Sequence, residues 1–105
     1  MKATTKRDLN ISKLNRHIPK DTIVDVEYNA YKNIIKIKAA DGTEINIRAI
    51  NAANALTGFI KEPSMKSLEK WVSDGIGKSI IGKKVEPDGF DFNGMPSWLL
   101  VLGII

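Results

Sequence analysis

Between residues 21 and 48 apolar and polar side chains alternate, and after residue 48 the period lengthens. Thr22, Val24, Val26 and Tyr28 fall on one side of the run Thr22-Ile23-Val24-Asp25-Val26-Glu27-Tyr28. Ile35 and Ile37 share a face in Ile34-Ile35-Lys36-Ile37-Lys38, and Glu44-Ile45-Asn46-Ile47-Arg48 alternates throughout. Period two with β-branched residues predicts half-buried antiparallel strands. Tyr28 to Asn33 reads as a loop, with the two tyrosines expected to pack on the sheet. Ala40-Asp41-Gly42-Thr43 predicts a tight primed turn, because Asp-Gly accepts positive φ. The result is a three-stranded meander with one solvated face.

The later pattern is helical. In Ala49 to Thr57, residues Ala49, Ala52, Ala53 and Leu56 share a face, and Gly58 is a natural stop. Ser64 follows Pro63 as an N-cap. Met65, Leu68, Val72 and Trp71 then form an apolar stripe, with Lys66, Ser67, Lys70 and Ser73 on the other side and Asp74-Gly75 as the end. Ser79-Ile80-Ile81 and Lys83-Lys84-Val85 suggest a small hairpin about Gly82, and Glu86-Pro87-Asp88-Gly89 a turn. Pro96 opens a last helix that Gly103 breaks, with Trp98, Leu99 and Leu102 as its buried face. Residues 1–20 show weak helical spacing of Ile11, Leu14 and Ile18, limited by Pro19, which fits a basic arm or a short helix. The expected fold class is α+β, in one domain over residues 1–105: a three-stranded antiparallel meander, a helix-turn-helix-like pair, a small hairpin and a C-terminal helix.

Composition narrows the chemistry. The chain has 105 residues, no cysteine and one histidine, so a disulfide framework, a thiolate metal site and a histidine cluster are excluded. The glycines Gly75, Gly77 and Gly82 are wrongly spaced for a phosphate loop, and Glu86, Asp88 and Asp91 do not complete a calcium loop. No catalytic constellation and no cofactor site are legible, and a non-enzymatic protein is expected. Met1 to Leu14 lacks an apolar leader segment, and the apolar run from Trp98 to Ile105 is shorter than a membrane span needs, so a cytoplasmic protein without membrane association is expected. The net charge of +4 concentrates in two basic segments, residues 1–20 and 66–84, while the acidic Glu86, Asp88 and Asp91 follow. Such segments can form an electrostatic footprint for phosphate; equally, they can be solvated faces.

Ala52-Ala53-Asn54-Ala55-Leu56-Thr57-Gly58 followed by Ser64-Met65-Lys66-Ser67-Leu68-Glu69-Lys70-Trp71-Val72-Ser73-Asp74-Gly75-Ile76 resembles excisionase-like and mercury-regulator-like winged helix-turn-helix domains. The chain departs from that pattern in its longer turn, in the lack of arginine on the second helix and in the acidic end of the hairpin. The resemblance implies double-stranded DNA as partner. Lys66, Ser67 and Lys70 would face the major groove, Lys78, Lys83 and Lys84 would hold phosphates at the hairpin, and Arg7, Lys13 and Arg16 would follow the backbone from the arm. A homodimer would extend so short a reading helix. The tail from Val85 to Leu100 is similar to the C-terminus of uncharacterised small phage and mobile-element proteins. The expected function is therefore DNA binding by a small accessory protein of a phage or mobile element. The alternative is a protein-interaction module, such as an inhibitor of a host system, working through an edge strand or the apolar C-terminal segment.

Overall fold

In the computed structural model, which describes residues 1–105, the chain forms two compact units, Met1–Gly58 and Phe59–Ile105. It is mostly β. The first unit contains β1 (Lys2–Thr4), β2 (Leu9–Ile11), β3 (Arg16–Ile18), β4 (Ile23–Asn29), β5 (Ile34–Ala39), β6 (Glu44–Arg48) and the single helical turn α1 (Ala52–Ala55). The second contains α2 (Met65–Asp74), β7 (Gly77–Lys78), β8 (Lys84–Val85) and α3 (Trp98–Val101). This corrects the α+β expectation: eight short strands carry the fold and the three helices are minor.

The alternation over residues 21–48 becomes the strands β4, β5 and β6, and β1 adds a fourth strand beside β4. Val24, Val26, Ile35, Ile37 and Ile45 are buried on the inner face. On the outer face, Lys2 stands opposite Asp25, Asp25 opposite Lys38, and Lys38 opposite Glu44. Each exposed ion pair contributes less than about 1 kcal/mol, yet opposite charges in register favour this pairing over a slipped one. The β5–β6 turn differs from the primed one expected. Among its residues only Gly42 has positive φ (91°), and the Gly42 N–H donates to the Ala39 carbonyl at 3.0 Å. That is a three-residue loop closed by a left-handed glycine.

Residues 1–20 form strands rather than an arm or helix. The helical spacing misleads because Leu14 lies in a 3-10 turn (Ser12–Leu14) at the tip of the β2–β3 hairpin, 57% exposed, while Leu9 opposite Ile18 is the buried pair. Thr5 anchors the hairpin. Its backbone N–H donates to Thr22 O and its carbonyl accepts from Asp21 N, both at 2.9 Å. Its hydroxyl donates to Pro19 O at 2.7 Å and accepts from Thr22 N at 2.9 Å. At the far edge, Arg16 Nη1 donates to the Glu44 carbonyl of β6 at 3.2 Å. Rooted beside β1 and tied to β6, the hairpin buries Leu9 and Ile18.

The alanine-rich run does not make the expected nine-residue helix. After a 3-10 turn (Ala49–Asn51) and α1, Leu56 turns extended (φ −133°, ψ 142°) and forms an antiparallel bridge with Thr5. Lys6 N–H donates to Ala55 O at 2.8 Å and Thr57 N–H to Thr4 O at 2.9 Å, so this segment serves β1 as a further strand. Burying Leu56 completely and satisfying the edge of β1 outweighs the helical propensity of alanine, the highest of any residue.

In the second unit α2 starts and stops where the sequence suggests. Ser64 Oγ accepts from Ser67 N at 3.2 Å, and Gly75 takes the left-handed cap (φ 69°). Its stripe is not the buried face expected: Leu68 alone is fully buried, while Met65 and Val72 are 64% and 49% exposed. The C-terminal helix shrinks to the one turn of α3, capped by Ser97 Oγ, with Trp98, Leu99 and Val101 buried. Ser97 also bridges Ser79, and Ser97 N–H donates to Gly89 O, so residues around 79, 89 and 97 run side by side. The helix-turn-helix pair is therefore withdrawn. Its first member is a single turn ending in an extended leucine, and α1 and α2 belong to different units.

Candidate nucleic-acid interface

The two units differ in charge. Met1–Gly58 carries ten basic and six acidic residues, whereas Phe59–Ile105 carries six of each. The whole net charge of +4 thus resides in the first unit. Within it, Lys2, Lys36 and Lys38 are ion-paired, to Asp25 and Glu44. Their charge is answered on the outer face of the sheet.

The cations of the hairpin and its roots are not answered in this way. Arg7, Lys13, Arg16 and Lys20 are exposed, and none is ion-paired. Lys13 sits in the tip and Arg16 starts β3, while Arg7 precedes β2 and Lys20 follows β3. One acid, Asp8, lies among them, and its Oδ1 accepts from the Lys20 backbone N–H at 2.7 Å rather than from a cationic side chain. Lys6 instead donates to the Ala53 carbonyl at 2.9 Å, which ties the segment after β1 to α1. Arg16 borders a shallow concavity of about 390 Å³ together with Asp41 and Glu44. Asp41 is engaged by the Thr43 N–H at 2.9 Å, which holds its carboxyl below the usual carboxylate range. No family model, curated protein or solved structure matches the chain.

The remaining residues expected at a DNA interface fall in the second unit. Lys66 and Lys70 are exposed on α2, without ion pairs. Ser67 is half-buried; its N–H is bonded to the cap, and its Oγ accepts from Ser64 Oγ at 3.1 Å. Lys78 lies on β7 directly opposite Lys84 on β8, and Lys83 adjoins them. The expected residues thus form three groups: the hairpin set Arg7, Lys13 and Arg16; the α2 set Lys66, Ser67 and Lys70; and the β7–β8 set Lys78, Lys83 and Lys84.

A two-stranded antiparallel ribbon has the width to enter or straddle a nucleic-acid groove, and cations along it meet phosphates on either side. The sequence reading expects Arg7, Lys13 and Arg16 on an arm and does not include Lys20 among the DNA contacts. Leu14, which projects at the tip, belongs in the sequence reading only to a weak helical spacing with Ile11 and Ile18. The readable signal was the spacing of Leu9 and Ile18 about Asn15, which takes a left-handed turn conformation (φ 49°) that asparagine tolerates.

Proposed function

We propose that the protein binds DNA non-enzymatically, with the basic β2–β3 hairpin of the first unit as the element that holds the phosphate backbone. One observation carries this reading: Arg7, Lys13, Arg16 and Lys20 stand exposed and without carboxylate partners on the unit that holds all of the net positive charge. The outer sheet face, by contrast, pairs its charges. Concentrated, unpaired cations on a rigid ribbon gain from counterion release, whereas paired ones do not. Leu14 at the tip adds an apolar group of the kind that can wedge beside a base step. The similarity of the tail to small phage and mobile-element proteins supports an accessory role in such a genome.

The test is fluorescence anisotropy with a labelled duplex across a salt series. Each phosphate contact contributes about 0.9 to the slope of log affinity against log salt. The variant Arg7→Ala/Lys13→Ala/Arg16→Ala should flatten that slope by about 2 to 3 and leave a cooperative unfolding transition. Lys66→Ala/Lys70→Ala should leave most of the affinity in place. A triple variant with wild-type slope overturns the proposal.

A further inference from the structure

Hairpin β7–β8 opposes Lys78 and Lys84 directly across two strands, with no carboxylate paired to either. Like charges in register disfavour the pairing that holds them. Next to them, Lys83, Lys84, Val85, Phe90, Phe92 and Asn93 line an open concavity of about 440 Å³. Phe92 is fully exposed and Phe90 half-exposed. Phe92 is not on a loose loop. Asp91 Oδ1 accepts from Asn93 N at 2.8 Å and from Met95 N at 3.0 Å, and Gly94 N donates to Asp91 O at 3.0 Å. Asp91 N donates to Met95 O at 2.9 Å, so four hydrogen bonds staple the turn that presents the ring. A phenyl group held rigidly in water beside unanswered ammonium groups suits a ligand with a flat face and a negative charge. Asp91, the one carboxylate in the wall, gives Oδ1 to its own turn and forms no ion pair with either lysine, while its Oδ2 is buried without a hydrogen-bond partner.

We infer that this concavity takes an unpaired nucleotide, the base stacked on Phe92 and an adjoining phosphate held by Lys83 and Lys84. The volume fits one nucleotide rather than a duplex, whose bases offer no free face. The inference rests on the DNA-binding reading and adds to it a preference for single-stranded or locally opened DNA.

The experiment compares a labelled mixed-sequence 12-nucleotide single strand with the duplex of the same sequence, on the intact chain at one salt concentration. Phe92→Ala should weaken single-strand binding about tenfold or more and duplex binding less than about twofold. Phe92→Trp should restore it, since a larger ring stacks at least as well. The exposed position makes a folding defect easy to recognise by circular dichroism. If Phe92→Ala binds the single strand as the wild type does, or weakens both substrates equally, the stacking site is refuted while the hairpin reading stands. If the wild type binds neither substrate, both fall.

Discussion

Thr5 gives the sharpest test of how the basic hairpin is held. Thr5→Val keeps the shape of the side chain and removes only its hydroxyl. In the wild type that hydroxyl donates to Pro19 O at 2.7 Å and accepts from Thr22 N at 2.9 Å, at a site 1% exposed. Pro19 O keeps a second donor, the Thr22 hydroxyl at 2.7 Å, so its loss is softened. Thr22 N–H has no such reserve and is left unmatched, which costs about 1–3 kcal/mol; the lost bond to Pro19 adds about 0.5–1 kcal/mol. The expected destabilisation is about 2–3 kcal/mol, a large share of the ~3–9 kcal/mol that a unit of this length commands. Both tryptophans, Trp71 and Trp98, lie in the second unit, so their fluorescence is the wrong probe. Amide hydrogen exchange at Thr22 and Ile18 reads the hairpin directly. Protection there should fall about 30-fold or more in Thr5→Val, and by much less in Thr5→Ser, which retains the hydroxyl. Equal protection in Thr5→Val and wild type would show that packing of Leu9 and Ile18 alone seats the hairpin.

Two further outcomes can be checked. Gly75→Ala forces a Cβ into a left-handed cap (φ 69°) with open space around it, so the cost is conformational only: about 1 kcal/mol in a urea titration followed by tryptophan fluorescence. Burial pushes the Tyr28 phenol above its ordinary value, and the hydroxyl donates to Asn33 Oδ1 at 2.8 Å. A raised folded-state pKa contributes stability that is complete below about pH 10 and is lost as pH rises through the folded value. The unfolding midpoint should therefore fall above about pH 10, and less steeply in Tyr28→Phe than in wild type; identical profiles would exclude Tyr28 from that loss.

The strands over residues 23–48 were legible because their period is local: each β-branched residue is buried or exposed by its own parity. Helix α2 was legible because Ser64 and Gly75 act within one turn of their own positions. What escaped depends on distant partners. Leu56 abandons a helical neighbourhood only because Thr5, far away in the chain, offers an unpaired strand edge. Strands β1, β2 and β3 have three residues each, too few for a period to show, and Ile11, Leu14 and Ile18 happen to mimic helical spacing. The candidate site suffered likewise. Arg7, Lys13 and Arg16 could be picked by charge, but nothing local says that Lys78 will meet Lys84 or that Asp91 will hold Phe92 out in water.

The bond from Arg16 to the Glu44 carbonyl has a consequence for how copies of this chain behave in crowded solution. A terminal strand with bare carbonyls invites a neighbouring molecule to add its own strand and propagate a stack. Here a guanidinium occupies one of those carbonyls and brings a positive charge to the rim, so growth of that kind meets both a blocked acceptor and repulsion. Removing the arginine would take away a proposed phosphate contact and a gatekeeper together, and turbidity on storage would report the second loss even without any ligand present.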